Sequence, residues 1–261
     1  ILVNDIAARS ATRLRPGDRI SVYVPPVPPV DLRAEDIPLE VVYEDNHVLI
    51  IDKPTGLTVH PAPGHPHGTL VNALLARYPE LEGIGAPTRP GIVHRLDADT
   101  SGLMAVARTQ FAYESLVLQL KDRTVTKVYF ALVRGYLTPP EGTVEAPVGR
   151  NPQDRKLMGV VSGGRDATTS YRTLQQYEGF ALLEVRPHTG RTHQIRVHMA
   201  AMGHPVAGDR KYGGRVPFLR RQFLHAHRLG LCLPDTGKDV EFASPLPTDL
   251  QEALDGLKPR T

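Results

Sequence analysis

The sequence predicts a strand-rich α+β protein, because runs with the two-residue period of strands alternate with runs of helical period. Residues 124–135 alternate in polarity and are rich in β-branched and aromatic residues, which favours a strand. Residues 39–53 predict two strands around the turn Glu44-Asp45-Asn46, and residues 171–186 predict a strand pair around Glu178-Gly179.

Two segments have the spacing of amphipathic helices. Residues 69–78 repeat apolar positions at helical spacing, and Thr69 is a suitable N-cap. Residues 110–121 predict a second helix, whose apolar contacts are expected from Phe111, Leu116, Leu118 and Leu120. Residues 150–164 predict an arm or hairpin that carries Arg150, Arg155 and Lys156.

The chain divides into three parts by composition. Residues 1–24 contain short strand and turn signals and are too short for an independent domain. Residues 25–38 start with the run PPVPP, which predicts a semi-rigid linker. Residues 39–261 are long enough to bury a core and form the main domain. The first residue is Ile1 and not an initiator Met, so we expect further residues to precede it.

Composition excludes several classes of protein. A hydrophobic fraction of 41% and a charged fraction of 23% are typical of soluble globular proteins. No apolar run approaches the roughly 20 residues that cross a bilayer, and no signal peptide is recognisable. The single cysteine, Cys232, can form no internal disulfide, which favours the cytoplasm. The motifs GxGxxG, GxxxxGK[ST] and GxSxG are absent, so we expect neither a nucleotide cofactor nor triad hydrolysis.

Positive charge is concentrated in residues 186–228. This segment holds eight Arg and one Lys against one acid, Asp209, while the whole chain has a net charge of only +3. Such asymmetry indicates a polyanionic partner, although a solvated basic face is the alternative. Glycines and prolines interrupt the segment, which favours nucleic acid over the amphipathic helix that a membrane surface needs.

Asp97 is the first candidate for chemistry. It lies in the stretch IVHRLDADTSGLMAVA (92–107), where two apolar, strand-like segments flank a polar loop. A carboxylate on a connection anchored at both ends is well placed for catalysis. The alternative is that an acid here only caps the turn, a role that suits Asp99 better because it adjoins Thr100 and Ser101.

Arg196 is the second candidate. If a helix begins near Arg191, then Arg196 lies at its centre with Ile195 and Val197 beside it. An Arg among apolar residues is expected to have an anionic partner, and we expect that partner to be Asp97. The alternative is an Arg on a solvated helix face.

The histidines do not predict a metal site. His188, His193 and His198 recur every five residues, which is not the HExxH spacing of a zinc site. The loop histidines share no common face, and no cysteine or carboxylate joins them to complete a ligand set: His60, His65 and His67.

Four blocks resemble the RluA-type family of pseudouridine synthases: KPTGLTVHP, HRLDADTSGLM, KVYFALVRG and TGRTHQIRVHM. They stand in the family's order and cover most of residues 39–250. The segments NPQDRKLMGV and GGRDATTSY resemble the RluD-like branch, which modifies large-subunit ribosomal RNA. Residues 1–24 resemble part of the S-four-like RNA-binding module that this branch carries, with Asp5 where that pattern has Gly. The resemblance implies a central, largely antiparallel mixed sheet with flanking helices and an active cleft across its middle.

The resemblance also implies roles for individual residues. The family nucleophile falls on Asp97 and its buried arginine partner on Arg196. Tyr129 matches an aromatic residue that stacks on the target uracil and is a candidate to accept the proton leaving carbon 5. Arg95 matches a residue that enters the RNA stack when the target nucleotide flips out. The other residues expected at the substrate site are His94, Leu96, Thr100, Ser101, Gly102, His193, Ile195 and Lys53, the last through a backbone contact only.

The implied activity is the isomerisation of uridine to pseudouridine in large-subunit ribosomal RNA, by a monomer that needs no metal or organic cofactor and no membrane. The expected partner is large-subunit ribosomal RNA or a ribosome precursor. Attack on the sugar, glycal formation and addition to the uracil ring are all open as routes. Two alternative functions are a synthase that acts on tRNA or other ribosomal sites, and a non-catalytic RNA-binding or ribosome-assembly protein.

Overall fold

The computed structural model describes residues 1–23, 32–61 and 65–260. The chain forms two compact units, residues 1–31 and 32–261. Most of the proline run predicted as a linker lies outside the described residues. The later part of that predicted linker belongs to the second unit, because Leu32 and Ile37 pack against its core and Asn72 Nδ2 donates a hydrogen bond to the Arg33 carbonyl at 2.7 Å.

The first unit is a small antiparallel sheet of β1 (Leu2–Val3), β2 (Ile6–Ala7) and β3 (Ile20–Ser21), in the order β2-β1-β3. The β1–β2 turn places Asn4 and Asp5 at positive φ, a conformation that Asn and Asp tolerate well. Asn4 donates to Asp18 at 2.8 Å and accepts from the Arg19 amide at 2.9 Å, which ties this turn to β3. The likeness of this unit to the S-four-like module stays a prediction.

The second unit contains the other thirteen strands and all four α-helices of the described chain. Its strands are β4 (Glu40–Glu44), β5 (Val48–Lys53), β6 (Gly85–Ala86), β7 (Arg89–Pro90), β8 (Ser101–Ala107), β9 (Thr126–Arg134), β10 (Glu141–Glu145), β11 (Val148–Arg150), β12 (Met158–Val160), β13 (Thr168–Tyr177), β14 (Phe180–Pro187), β15 (Leu224–Cys232) and β16 (Asp239–Ala243). Its helices are α1 (Leu70–Arg77), α2 (Gln110–Asp122), α3 (Gln194–Ala201) and α4 (Thr248–Asp255), with a 3-10 turn at Pro79–Leu81.

One large sheet organises the second unit, in the order β10-β13-β14-β9-β15-β8-β5-β4, with β16 added to β15. All of its pairings are antiparallel except that of β15 with β8. This architecture confirms the predicted α+β fold with a largely antiparallel mixed sheet. Apart from the segment before Asp97, the predicted strands and strand pairs are present. The arm or hairpin predicted at 150–164 corresponds to the hairpin β11–β12, which spans residues 148–160.

The parallel pairing of β15 and β8 joins two halves of the sheet through only two residue pairs, His225 with Ser101 and Ala226 with Gly102. Gly102 has φ +113°, and a Cβ added there would lie 2.4 Å from the carbonyl oxygen of Ala226. Only glycine therefore allows this close approach. The loop that carries Asp97 leads directly into this junction.

Helices cover both faces of the sheet. On one face, α1 packs Leu70 and Leu74 into a large cluster that includes Ile51 of β5 and Met104 of β8. On the other face, α2 packs against Val48, Ile50, Leu103 and Ala105. Alternate residues of β5 and β8 thus enter opposite cores, as the two-residue period of a strand requires. Within the described part of the chain, no helix combines the length and apolar character needed to cross a membrane.

Two local predictions need correction. The buried residues of α2 are Ala112 and Leu116, whereas Phe111 and Leu118 are 55% and 54% exposed. Residues four apart share a helix face, so Ala112 and Leu116 define the stripe that faces the sheet. The strand predicted before Asp97 is also absent, because Ile92 makes only a single bridge to Val106. The predicted N-cap of α1 is confirmed: Thr69 accepts a hydrogen bond from the Asn72 amide.

Candidate active site

Asp97 lies in the loop that precedes β8, at the junction of the two sheet halves. The loop backbone is bound from three sides: the Thr100 amide donates to the Asp97 carbonyl at 3.1 Å, Lys53 Nζ to the Ala98 carbonyl at 2.9 Å, and Arg221 to the Asp99 carbonyl at 3.1 Å. Buried donors thus fix the main chain around Asp97, which restricts where its carboxylate can point.

Asp99 does not cap this turn, contrary to the prediction. Its carboxylate forms no hydrogen bond with any residue in the ranges that the structure describes. The backbone carbonyl of Asp99 accepts hydrogen bonds instead, from the Thr55 hydroxyl and from Arg221. The turn is closed instead by the hydrogen bond from the Thr100 amide to the Asp97 carbonyl.

Lys53 is completely buried beneath the loop. Its ammonium group donates to the carbonyls of Pro54, Leu57 and Ala98 at 2.7, 2.9 and 2.9 Å, so all three of its protons are used. Burial lowers the pKa of Lys53 to about 8, against the opposing influence of nearby carboxylates, chiefly that of Asp99. The ammonium of Lys53 thus binds the protein's own main chain, and its complete burial corrects the expectation that Lys53 contacts the substrate.

Arg196 binds two carboxylates at once. Its NH1 donates to Asp97 Oδ2 at 2.7 Å, which confirms the predicted contact. Its Nε and NH2 form a bidentate pair with Asp209 at 2.6 and 3.0 Å. Burial by itself would lower the pKa of Arg196, but the bonds to Asp209 and then to Asp97 outweigh it and raise that pKa. One oxygen of Asp97 is thus held by a guanidinium whose own position is fixed by Asp209.

His193 faces the other oxygen of Asp97. Its Nε2 lies 3.8 Å from Asp97 Oδ1, and its Nδ1 lies 2.7 Å from the hydroxyl of Tyr212. The Tyr212 oxygen also accepts a hydrogen bond from the Met158 amide at 3.1 Å, which fixes the phenol beside the His193 ring. Burial lowers the pKa of His193 to about 4, so its ring is neutral at neutral pH.

The residues around Asp97 enclose a cavity of about 480 Å³, a typical size for a ligand site. Tyr129 and Ile195 form apolar parts of its wall and are 8% and 6% exposed. Burial, and after it the charge of Asp97, raises the pKa of Tyr129, so its phenol is protonated at neutral pH. Nine of the predicted site residues line this cavity: His94, Arg95, Leu96, Asp97, Thr100, Tyr129, His193, Ile195 and Arg196.

Two further predicted residues, Ser101 and Gly102, lie behind the cavity with Lys53. Ser101 is buried and its Oγ lies 3.0 Å from His225 Nδ1 and 3.2 Å from an Arg221 nitrogen. Gly102 forms the close strand contact described above. These residues position the loop and have no path to a substrate, which corrects the expectation that they bind it.

His94 and Thr100 reach the cavity but also hold the loop. His94 Nε2 accepts from the Ala105 amide at 2.9 Å, and burial lowers its pKa to about 3, so its ring is neutral. Thr100 Oγ1 accepts from Gln222 Nε2 at 3.2 Å. Exposed cations stand at the rim instead, where Arg89 and Arg95 border the opening. The site therefore combines a partly apolar interior, which also holds the ion pair described above, with a cationic edge.

Sequence reasoning did not identify Asp209, Tyr212, Arg221 or Lys127 as site residues. Asp209 had one available signal, since it is the single acid in a strongly basic segment. Among the described residues, no group of three or more His, Cys, Asp or Glu side chains is arranged to hold a metal ion.

Comparison with known proteins agrees with this geometry. The profile of the RNA pseudouridylate synthase family matches residues 47–201. A Bacillus subtilis protein called an uncharacterized RNA pseudouridine synthase is 47% identical over 99% of this chain and 86% of its own length. The Xanthomonas campestris protein called ribosomal large subunit pseudouridine synthase D is 45% identical over 98% and 81%. The structure of human RNA pseudouridylate synthase domain containing 1 is 32% identical with a TM-score of 0.67, over 86% of this chain and 89% of that one. This chain belongs to the RNA pseudouridylate synthase family.

Proposed function

We propose that this chain converts uridine to pseudouridine in large-subunit ribosomal RNA, with Asp97 as the reacting group. The observation that carries the proposal is the Asp97 carboxylate, which lines an enclosed cavity while Arg196 fixes one of its oxygens. Family membership supports the reaction. The choice of RNA is supported by relatives called ribosomal large subunit pseudouridine synthase D, from Xanthomonas campestris and Pseudomonas aeruginosa.

Asp97 acts through Oδ1 in this proposal, because Arg196 occupies Oδ2. Oδ1 either attacks the sugar carbon C1′ or assists formation of a glycal, and both routes break the bond between C1′ and N1 of the base. Addition to the uracil ring is a third route. In each case the base turns within the cavity, bonds through carbon 5 and loses the proton there.

Tyr129 is proposed to stack on the target uracil. Its ring forms part of the cavity wall, and aromatic rings stack on bases without regard to sequence. The raised pKa of its phenol does not favour a role as the base at carbon 5, since a protonated phenol has no free site for that proton. Arg95 is exposed at the rim two residues before Asp97, which suits insertion into the RNA stack from which the nucleotide has flipped.

The test is the substitution Asp97→Asn, with Asp99→Asn as its matched control. Both remove one negative charge from the same loop, but only Asp97 lines the cavity. We expect Asp97→Asn to abolish tritium release from uracil-labelled ribosomal RNA while RNA affinity changes by no more than a few-fold. Asp99→Asn should retain turnover.

Turnover by Asp97→Asn near the wild-type rate would remove Asp97 from the reaction. Mapping pseudouridines in total RNA, with and without the gene, identifies the substrate. A missing pseudouridine in tRNA alone would overturn the choice of large-subunit RNA, and an unchanged map would favour a non-catalytic role. We further propose that the protein acts as a monomer in the cytoplasm, which sedimentation and cell fractionation test.

A further inference from the structure

Lys127 presents a cation to the cavity that the reaction described so far does not use. It lies on β9 two residues before Tyr129, so both side chains leave the same face of the strand, about 7 Å apart along it. Both line the cavity with Asp97. Lys127 is half-buried, whereas Arg89 and Arg95 at the rim are exposed.

No carboxylate balances this charge. Within residues 1–23, 32–61 and 65–260, the Lys127 ammonium forms no hydrogen bond and no ion pair. Burial lowers the pKa of Lys127. Its neighbour His94 has a pKa lowered to about 3, first by burial and then by Lys127, and is neutral.

Arg196, the other cation of the cavity interior, is already shared between two carboxylates. Arg191 donates to a main-chain carbonyl at 3.0 Å, and Arg89 and Arg95 are exposed at the rim. A half-buried ammonium without a partner is stabilised when an anion joins it in the functional complex. Under the proposed function a flipped base enters this cavity, so the base is the substrate group that Lys127 can meet. The missing anion is therefore expected on the base.

We propose that Lys127 is a catalytic residue that binds the uracil anion formed when the glycosidic bond breaks. This inference rests on the proposed function. Both electrons of the N1–C1′ bond stay with the base, and the negative charge spreads over N1 and the two carbonyl oxygens. C1′ either bonds to Asp97 Oδ1 or becomes part of a glycal after C2′ gives a proton to Asp97. Carbon 5 of the anion then bonds to C1′, while Asp97 either leaves C1′ as a carboxylate or returns its proton to C2′ of the glycal. The proton on carbon 5 is then transferred to N1, and the charge at Lys127 disappears.

A single-turnover experiment separates this role from simple RNA binding. With enzyme in excess over transcribed large-subunit RNA, Lys127→Gln should slow pseudouridine formation about 100-fold, the scale of removing one group that stabilises developing charge. RNA affinity should change by less than threefold. Lys127→Arg should recover most of the rate. Lys121→Gln removes the same charge from the exposed end of α2 and should match wild type.

Two outcomes would overturn the proposal. An unchanged single-turnover rate would show that the charge is not used. A loss confined to RNA affinity, with the rate at saturation unchanged, would assign Lys127 to a phosphate.

A second measurement needs no turnover, so it stands apart from the proposed function. The probe is 5-nitrouracil, an anion at neutral pH that resembles uracil in shape, compared with neutral uracil by ligand-detected NMR. Wild-type protein should bind 5-nitrouracil at least tenfold more tightly than uracil, and Lys127→Gln should lose that preference. Equal binding of the two bases by wild-type protein would contradict the inference. If wild type shows the preference but makes no pseudouridine, the proposed function fails while the anion site stands.

Discussion

Arg196 holds two acids whose burial differs, and that difference separates their roles. Asp209 is completely buried and uses both carboxylate oxygens on Arg196, with the Lys211 and Tyr212 amides also donating to Oδ1 at 2.9 and 3.2 Å. Asp97 gives Arg196 one oxygen and keeps the other at the cavity. Asp209 thus holds Arg196 in place, and Arg196 in turn fixes the position of the Asp97 carboxylate.

The substitution Asp209→Asn should be strongly destabilising. It removes the charge that compensates a buried guanidinium, and breaking a buried pair in this way costs about 3–5 kcal/mol. Urea unfolding gives the free energy of unfolding of the variant. The matched control is Glu241→Gln, which removes an exposed acid 3.5 Å from Arg228 and should cost less than about 1 kcal/mol. Equal losses for the two variants would contradict the anchoring role of Asp209.

Sequence reasoning succeeded at the residue scale where chemistry is local. An arginine flanked by Ile195 and Val197 needs an anion, and this argument correctly paired it with Asp97, 99 residues away. Asp209 was not predicted as a partner of Arg196, because the turn that brings it under α3 has no recognisable sequence signature. Lys53 was wrongly expected at the substrate, because an exposed and a buried lysine look the same in sequence and only its three carbonyl partners reveal the difference.

At the scale of elements, the parallel contact between β8 and β15 decides where the cavity opens. One edge of β15 pairs with β8 through His225 and Ala226 and with β16 from Arg228 onward, so the sheet divides at this point. The Asp97 loop enters directly at that division. Strand existence could be predicted from alternation, but this pairing could not, because it depends on residues more than a hundred positions apart.

The substitution Gly102→Ala should weaken both the fold and the reaction. The added Cβ would lie 2.4–2.8 Å from backbone atoms of Ala226. These backbone atoms belong to a paired strand and cannot move aside as a flexible side chain can. Gly179→Ala is the matched control, because Gly179 also has positive φ but has open space around it. The control should cost about 1–2 kcal/mol from backbone strain alone. Urea unfolding and tritium release should show a larger stability loss for Gly102→Ala, together with reduced turnover. Equal effects would mean that the strand contact is not needed.

At the scale of the whole molecule, the basic segment 186–228 exposes less positive charge than its composition suggests. Arg196 and Arg221 are buried, at 4% and 7% exposure, and the second is paired with Asp249 at 2.6 and 2.9 Å. Only part of the predicted positive charge therefore faces solvent. Most of the exposed remainder lies in the loop before β15, at Arg210, Lys211, Arg215 and Arg220, and Arg186 is exposed on β14. Charge counts in sequence cannot separate cations that bind internal acids from cations free to meet RNA.

Buried histidines give the whole molecule a characteristic sensitivity to acid. Burial lowers the pKa of His94 to about 3 and those of His193 and His225 to about 4, so all three are neutral in the folded protein. In the unfolded chain they bind protons below about pH 6.5. The unfolded state then holds more protons than the folded state, and stability falls as the pH drops from about 6.5 toward 4.

Each fully shifted histidine should therefore lower the free energy of unfolding by about 1 kcal/mol per pH unit in this range. Urea unfolding at pH 7.5, 6.5 and 5.5 measures the slope. His94→Gln keeps an acceptor for the Ala105 amide but cannot bind a proton, so its slope should be smaller by the share of one histidine. The exposed His65 provides the control, because His65→Gln should leave the slope unchanged. A wild-type stability that is flat between pH 7.5 and 5.5 would contradict the prediction, because these rings would then bind protons as readily in the folded protein as in the unfolded chain.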